Sequence, residues 1–331
     1  MKQKVLITGA SGFVGKHLVK EAQKNGFEVH AAVRKTSNLQ PIKEYIDAFK
    51  YLDYEAPENL KGLLRKEQYN YIIHAAALTT AKTEEQMQKV NVEFTLTLVE
   101  AAFESCPNLI RFVYVSSLAA IGPVKFADLP ITEKTPYHPI TMYGRSKKIS
   151  EQILYNKYNK YPITIVRPTA VYGPEERDIF MVFKTMNKGF DPYIGRKPQK
   201  LSFVYVADLV DALLSACSPA DPGIKCYNIT DGKVYLRYDM AEIYKGVFNK
   251  KLLRVHIPVG IVRAAAELMQ IVYRKSDKTP ILYPERIQEL TAESWACDIT
   301  SAVEELAYKP KYDLDKGLKR TLRWYKENNW L

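Results

Sequence analysis

The chain has 331 residues, 47% of them apolar and 26% charged, with 15 Gly and 18 Pro, a balance that excludes disordered and fibrous classes. The formal net charge of +11 suits an anionic cofactor, an anionic membrane surface or nucleic acid. The Lys and Arg are dispersed along the chain, so charge alone does not choose among these.

Cys106, Cys217, Cys226 and Cys297 lie far apart, with no C-x-x-C pair and no His at ligand spacing. That pattern predicts neither a disulfide framework nor a metal site, and it fits a reducing, cytoplasmic setting. The longest charge-free stretch, Gln68 to Ala81, is too short and too polar for a membrane span, which needs about 20 apolar residues. Met1-Lys-Gln-Lys is followed by an apolar run that breaks at Thr8-Gly9 without a cleavage site, so an unprocessed N-terminus is expected.

In chain order, Val5–Thr8 is a short β-branched run ending in glycines, and Phe13–Gly26 follows with apolar residues at helical spacing. The alternation continues with Glu28–Val33 (strand), Pro41–Ala48 (helix), Phe49–Tyr51 (strand), Pro57–Lys66 (helix), Tyr71–His74 (strand), Glu84–Phe103 (long helix) and Arg111–Val115 (strand). A Pro- and Thr-rich loop, Pro130 to Pro139, precedes a helix at Met142–Tyr158 and a buried strand at Thr164–Arg167. Strands alternating with helices predict an α/β fold: a doubly wound parallel sheet of Rossmann type with right-handed crossovers. Beyond Pro174 the alternation weakens. A helix at Ile179–Asn187, a strand at Phe203–Val206, a helix at Leu209–Cys217 and a strand at Tyr227–Thr230 lead into a mostly helical tail. The expected division is a dinucleotide-binding domain over 1–172, with 203–230 returning to it, and a smaller, mostly helical substrate lobe over 173–202 and 231–331.

Thr8-Gly9-Ala-Ser11-Gly12-Phe13-Val14-Gly15 stands between the first strand and the first helix. Glycines there allow a tight turn, close approach to a pyrophosphate and close helix–strand packing, while the helix N-terminus offers free N–H groups. Gly9, Ser11, Gly12, Phe13, Val14 and Gly15 are therefore expected at the cofactor. At the end of the second strand, Val33-Arg34 stands where an acidic residue would hold a ribose 2′-OH; Arg34 favours NADP(H) over NAD. The plain alternative is a solvated Arg34-Lys35 pair in a loop. Asp53 is placed to accept a hydrogen bond from an adenine amino group, or to cap its own loop.

Tyr143-Gly-Arg-Ser-Lys147 opens a helix, and a four-residue separation puts phenol and ammonium on one face. A nearby cation lowers a phenol's pKa from about 10, so Tyr143 is expected to move the proton and Lys147 to supply the field. The spacing is weak on its own. Ser116 and Ser117 close a buried parallel strand at its carboxyl end, where open α/β sheets place ligands; Ser117 is expected to bond a substrate carbonyl or hydroxyl, with Ser116 as its helper.

Together these motifs resemble an extended short-chain dehydrogenase/reductase, the superfamily of nucleotide-sugar epimerases and dehydratases, dihydroflavonol-type reductases and 3β-hydroxysteroid-type dehydrogenases. The likeness runs from residue 5 to about 210 and also rests on His74-Ala75-Ala76-Ala77, Asn91-Val92, Arg167-Pro168, Val171-Tyr-Gly-Pro174 and Phe203-Val-Tyr-Val-x-Asp208. The resemblance implies that Asn91 supports the site, that Lys147 also holds the nicotinamide ribose, and that Pro168 and Ala75–Ala77 border the cofactor. Phe94 departs from the pattern, since glycine usually stands there, and tighter or shifted helix packing is expected at that point.

Nucleotide-sugar members commonly carry Asn where this chain has Thr169, and Arg where it has Leu201. The Arg-Pro-Thr and Leu-Ser-Phe-Val versions are similar to the dihydroflavonol-reductase and hydroxysteroid-dehydrogenase branch. The function expected is thus an NADP(H)-dependent enzyme interconverting a ketone and a secondary alcohol on a hydrophobic, lipid-like substrate. The alternative is an NAD-dependent nucleotide-sugar epimerase or dehydratase. A non-catalytic dinucleotide- or RNA-associated protein is a third reading, opposed by the intact Ser117, Tyr143 and Lys147; no nucleic-acid partner is expected. Ile257–Tyr273 is an apolar segment flanked by Lys250, Lys251, Arg254, Arg274 and Lys275, read first as a core helix of the lobe, with a pocket wall or peripheral contact with an anionic membrane as alternatives. Candidate pocket walls are Tyr137, His138, Met142, Tyr172, Phe180, Met181 and Trp295. The resemblance makes a homodimer through 84–103 and 142–158 the default assembly.

Overall fold

The β-branched run at the N-terminus forms β1 (Lys4–Thr8), and its helical sequel forms α1 (Phe13–Lys24). There follow β2 (Glu28–Ala32), β3 (Ala48–Lys50), α2 (Pro57–Glu67), β4 (Tyr71–His74), α3 (Glu84–Gln88), α4 (Phe94–Ser105), β5 (Arg111–Val115), α5 (Met142–Lys157) and β6 (Ile163–Pro168). The computed structural model describes residues 2–218, 221–274, 276, 280 and 282–331.

Two segments depart from the expected pattern, each for a local reason. Pro41–Ala48 is not a helix but a single 3-10 turn at Lys43–Tyr45. The Asp47 N–H donates to the Val29 carbonyl and the Asp47 carboxylate accepts from the Val29 N–H, each at 2.8 Å, which draws the chain into strand register before a helix can propagate. The long helix over 84–103 is interrupted by a π-helical turn at Lys89–Glu93. Such turns recur at functional sites. Asn91 is buried within this turn, and Phe94, directly after it, stacks on Tyr54 at 4.8 Å.

The second half supplies β7 (Ala170–Tyr172), α6 (Asp178–Asn187), β8 (Phe190–Ile194), β9 (Lys200–Leu201), β10 (Phe203–Tyr205), α7 (Val206–Ser215), β11 (Ile224–Ile229), β12 (Tyr235–Leu236), α8 (Asp239–Phe248), β13 (Leu253–Ile257), α9 (Val259–Tyr273), α10 (Pro284–Thr291), α11 (Thr300–Leu306) and α12 (Leu314–Glu327). Seven strands form one parallel sheet in the order β3-β2-β1-β4-β5-β6-β11. All six residues of β6 are buried, as expected for a sheet covered on both faces. Leu18 and Val19 of α1 pack with Leu209 and Leu213 of α7 on one face. On the other face are Leu60 and Leu64 of α2, Leu98 and Val99 of α4 and Leu154 of α5.

Of the segment 203–230, β11 joins the sheet and α7 covers it, whereas β10 pairs with β7 in a separate two-stranded sheet. The C-terminal core gathers α6, α8 and α12 around Tyr172, Phe203 and Tyr205. A further parallel pair, β8 with β13, was not expected. α9 is not a core helix: Val262 and Ala266 are its buried residues. Its expected flanking cation Lys275 lies outside the described residues.

Strand order reverses between β1 and β4, and a doubly wound sheet opens a crevice at that point, outside the carboxyl ends of its strands. The glycine loop follows β1, Ala75–Ala77 follow β4 and Ser116-Ser117 follow β5, so the expected site residues converge there.

Candidate active site at the crevice

The glycine loop is a backbone cradle. Gly9 adopts φ +69°, and a Cβ there would come within 2.8 Å of the Ala75 and Ala76 backbone; one on Gly15 would lie 2.0 Å from the Gly9 carbonyl oxygen. Gly12 precedes α1 without any side-chain cap, so the first-turn amides are left for another acceptor. These features fit the pyrophosphate of a dinucleotide. Ser11 Oγ donates to Ser37 Oγ at 3.3 Å, and the Arg34 N–H donates to the same oxygen, which ties the loop after β2 to the cradle. Arg34 is exposed and makes no ion pair with a described residue. Asp53 caps its own turn, accepting from the Glu55 N–H at 3.2 Å, and stays exposed.

A chain of hydrogen bonds fixes the floor between β1 and β4. The Ala76 N–H donates to Thr8 Oγ1, leaving the Thr8 hydroxyl to donate to His74 Nδ1 at 2.8 Å. The Thr95 hydroxyl donates to the Asn91 carbonyl, so it receives the proton of His74 Nε2 at 3.0 Å. Only neutral His74 satisfies both neighbours, and burial lowers its pKa from 6.5 to about 3. A histidine depressed on folding contributes stability that is present above 6.5 and lost as pH falls toward 3, at up to about 1.4 kcal/mol per pH unit. Urea midpoints should therefore drop more between pH 7 and pH 5 in the wild type than in a His74→Gln variant.

Asn91 ties the next layer together. Its amide accepts from the Leu78 N–H at 2.8 Å and donates to the Leu78 carbonyl and to Ser146 Oγ, joining the loop after β4 to α5. On α5, Thr141 caps the helix, accepting from the Gly144 N–H at 3.0 Å, and sets Tyr143 in the first turn. Lys147, one turn on, is buried, and its Nζ donates to the Val115 carbonyl at 2.8 Å and lies 5.9 Å from the Tyr143 ring centroid.

Tyr143 is not acidified in the free protein as the sequence led us to expect. Burial pushes its pKa up to about 12, a hydrogen bond to Ser117 opposes the rise and Glu289 adds to it. Lys147 is brought down to about 7 by the same desolvation, with Glu151 opposing. The physical reason is that a dry site penalises both charged forms before either can help the other.

Ser116 and Ser117 separate in role. Ser117 Oγ caps a short 3-10 turn, accepting from the Ala119 N–H, and faces the crevice. Ser116 is buried and donates to Glu151, so it supports the site from behind rather than substituting for Ser117. Glu151 in turn meets Arg167 Nε at 3.0 Å, with side-chain exposures of 0% and 1%, and Tyr137 donates to the same carboxylate. Sequence reasoning missed Glu151, although Tyr143, Lys147 and Glu151 follow at i, i+4 and i+8 on one face.

Two chambers open at the crevice. One, of about 340 Å³, holds Ser117 and Pro168, with Leu118, Ile179, Leu201, Phe203, Met240 and Trp295 among its walls. The other, of about 500 Å³, holds Tyr143 and Met142, with Lys82, Arg274 and Tyr283 around it. Arg286 and Glu289 of α10 line both, paired at 3.0 Å. Nothing in the helical tail marked these two residues, because their place depends on how α10 folds back over the crevice. Of the candidate walls, Trp295 and Met142 line the chambers. Tyr137 serves Glu151, Tyr172 donates to the Asp313 carbonyl in the C-terminal core, and Phe180 packs on Tyr325 and Trp330. Met181 is 49% exposed, and the His138 N–H donates to the Ile121 carbonyl.

The model of the NAD dependent epimerase/dehydratase family matches residues 5–230, from β1 through β11. The chain belongs to that family. Members similar to it over nearly their whole length include the UDP-glucose 4-epimerase of Vibrio cholerae, 25% identical over 99% of this chain and 97% of the relative. The N-acetyl-alpha-D-glucosaminyl-diphospho-ditrans,octacis-undecaprenol 4-epimerase of Escherichia coli O157:H7 is 25% identical over 98% and 96%. The crystal structure of the Thermotoga maritima UDP-glucose 4-epimerase with UDP-glucose superposes with a TM-score of 0.79 at 22% identity, covering 99% of this chain and all of that one. The family's doubly wound sheet and C-terminal helical region are thus the fold seen here.

Proposed function

We propose that this family member is an NADP(H)-dependent oxidoreductase that interconverts a ketone and a secondary alcohol on a substrate with an apolar body. The observation that carries the reading is the Ser117 chamber: its walls are largely aliphatic and aromatic, and its single lining cation, Arg286, is already paired with Glu289. Thr169 and Leu201 line it where a nucleotide sugar would need donors to its phosphates.

The glycine cradle and the uncapped α1 N-terminus would hold the pyrophosphate, and Arg34 a 2′-phosphate. When bound, the nicotinamide supplies hydride transfer. Ser117 orients the reacting oxygen and Tyr143 delivers its proton to it. Lys147, held by the Val115 carbonyl, stabilises the phenolate left behind. His74 ties β1 to α4, and Asn91 ties the loop after β4 to α5, without touching the reacting atoms.

The relatives' own activities favour a second reading, a nucleotide-sugar epimerase or dehydratase working with NAD, over the first. The Tyr143 chamber offers that reading Lys82 and Arg274 for a diphosphate. A cofactor-oxidation screen separates the two. Net NADPH consumption with long-chain ketones supports the oxidoreductase; bound NAD, interconversion of UDP-sugars and no net oxidation support the epimerase. Arg34→Ala should weaken NADPH roughly tenfold to a hundredfold while leaving NADH within about twofold, because charge-assisted bonds to a phosphate contribute about 1.5–3 kcal/mol. Equal loss for both cofactors would remove the 2′-phosphate role.

A further inference from the structure

The solvent face of α9 is made of hydrocarbon. At 100° per residue, Ile261, Ala264, Ala265, Leu268, Ile271 and Val272 share an arc of about 120°, and all six are exposed. Ile261 and Leu268 are each 62% exposed, Ile271 70% and Val272 67%. The opposite side, with Val262 and Ala266, packs on Ile287 of α10. A helix that is apolar on both its buried and its open sides is incomplete in water. No helix among the described residues is long and apolar enough to cross a membrane.

Charge indicates which surface. Arg263, Arg274 and Glu267 share one flank of the helix, with Glu267 nearest the apolar arc; all three are exposed and none makes an ion pair with a described residue. The whole chain carries +11. An apolar stripe whose polar flank carries two arginines and one glutamate, on a protein of net positive charge, fits the interface of an anionic bilayer. The same helix reaches the reaction centre: Gln270, Tyr273 and Arg274 line the Tyr143 chamber. Two half-open apolar side chains, Val182 and Leu290, border the Ser117 chamber.

We propose that α9 docks this protein on an anionic lipid bilayer, lying in the interface with its apolar face down and the Tyr143 chamber against its opposite side, about one helix diameter above the bilayer. Its purpose rests on the apolar-substrate reading, since docking then holds the active site close to the bilayer in which such a substrate dissolves.

Binding is measured without turnover, so it stands or falls apart from the chemistry. Wild-type protein is sedimented with vesicles of phosphatidylcholine, with and without about one-third phosphatidylglycerol. Binding is expected to the anionic vesicles, weakening as salt rises. The double variant Leu268→Glu/Val272→Glu should bind at least about tenfold more weakly, and Tyr143→Phe as well as the wild type. Both glutamates fall at exposed positions; Ile261→Ser provides a milder variant, and thermal melts confirm folding of each. Absent binding, binding unchanged in the variants, or a wild-type dimer on a sizing column that the variants dissociate would each overturn the proposal, the last by assigning the face to a second copy of the chain.

Discussion

Replacing Tyr143 by Phe is expected to reduce kcat/KM by roughly a hundredfold to ten-thousandfold, the range a positioned acid–base group contributes. The substitution removes one oxygen from a half-buried ring and leaves the glycine cradle, Arg34 and Lys147 in place. Dinucleotide affinity should therefore stay within about threefold, which separates loss of chemistry from loss of binding. Thermal stability should hold as well, because the phenol makes no bond to the core comparable to those of Glu151. Steady-state kinetics beside a fluorescence titration of the cofactor check both halves. A variant retaining more than about a tenth of its activity would show that another group moves the proton.

The second large effect lies beneath the site. Glu151→Ala leaves the Arg167 guanidinium buried without its counter-charge, and it deprives Ser116 and Tyr137 of their shared acceptor. Loss of one partner of a buried pair costs about 3–5 kcal/mol, because the remaining charge has neither water nor a mate. Urea unfolding should show a loss of that size. Restoring volume while removing both charges, as in Glu151→Leu/Arg167→Met, should recover much of it. If the single variant unfolds like the wild type, the network is ornamental and the placement of Ser117 depends on something else.

Much of this site could be read from the sequence because its signals are local. Glycines between a strand and a helix, serines ending a buried strand, and a Tyr and Lys four apart at a helix start each carry their geometry in their spacing. The same rule reached Glu151 had it been followed one turn further. What escaped was tertiary. Arg286 and Glu289 matter only because α10 folds over the crevice, and the β8–β13 pairing joins two short runs distant in sequence. The π turn at Lys89–Glu93 runs directly into Phe94, the residue that departs from the family pattern, but the inward turn of Asn91 follows from partners in the loop after β4 and on α5. The direction of the Tyr143 shift also lay beyond the motif. A motif shows the cation beside the phenol, and only the folded chain shows how dry both are.

The central claim is that Tyr143 and Ser117 face a carbon that exchanges hydride with a nicotinamide. Its most direct test is the fate of deuterium carried at the transferable position of NADPH during reduction of a long-chain ketone. The account predicts one deuterium on the carbinol carbon of the product with wild-type protein, in step with cofactor oxidised, and almost none with Tyr143→Phe. Product without deuterium, or labelling that persists undiminished in the variant, would contradict it.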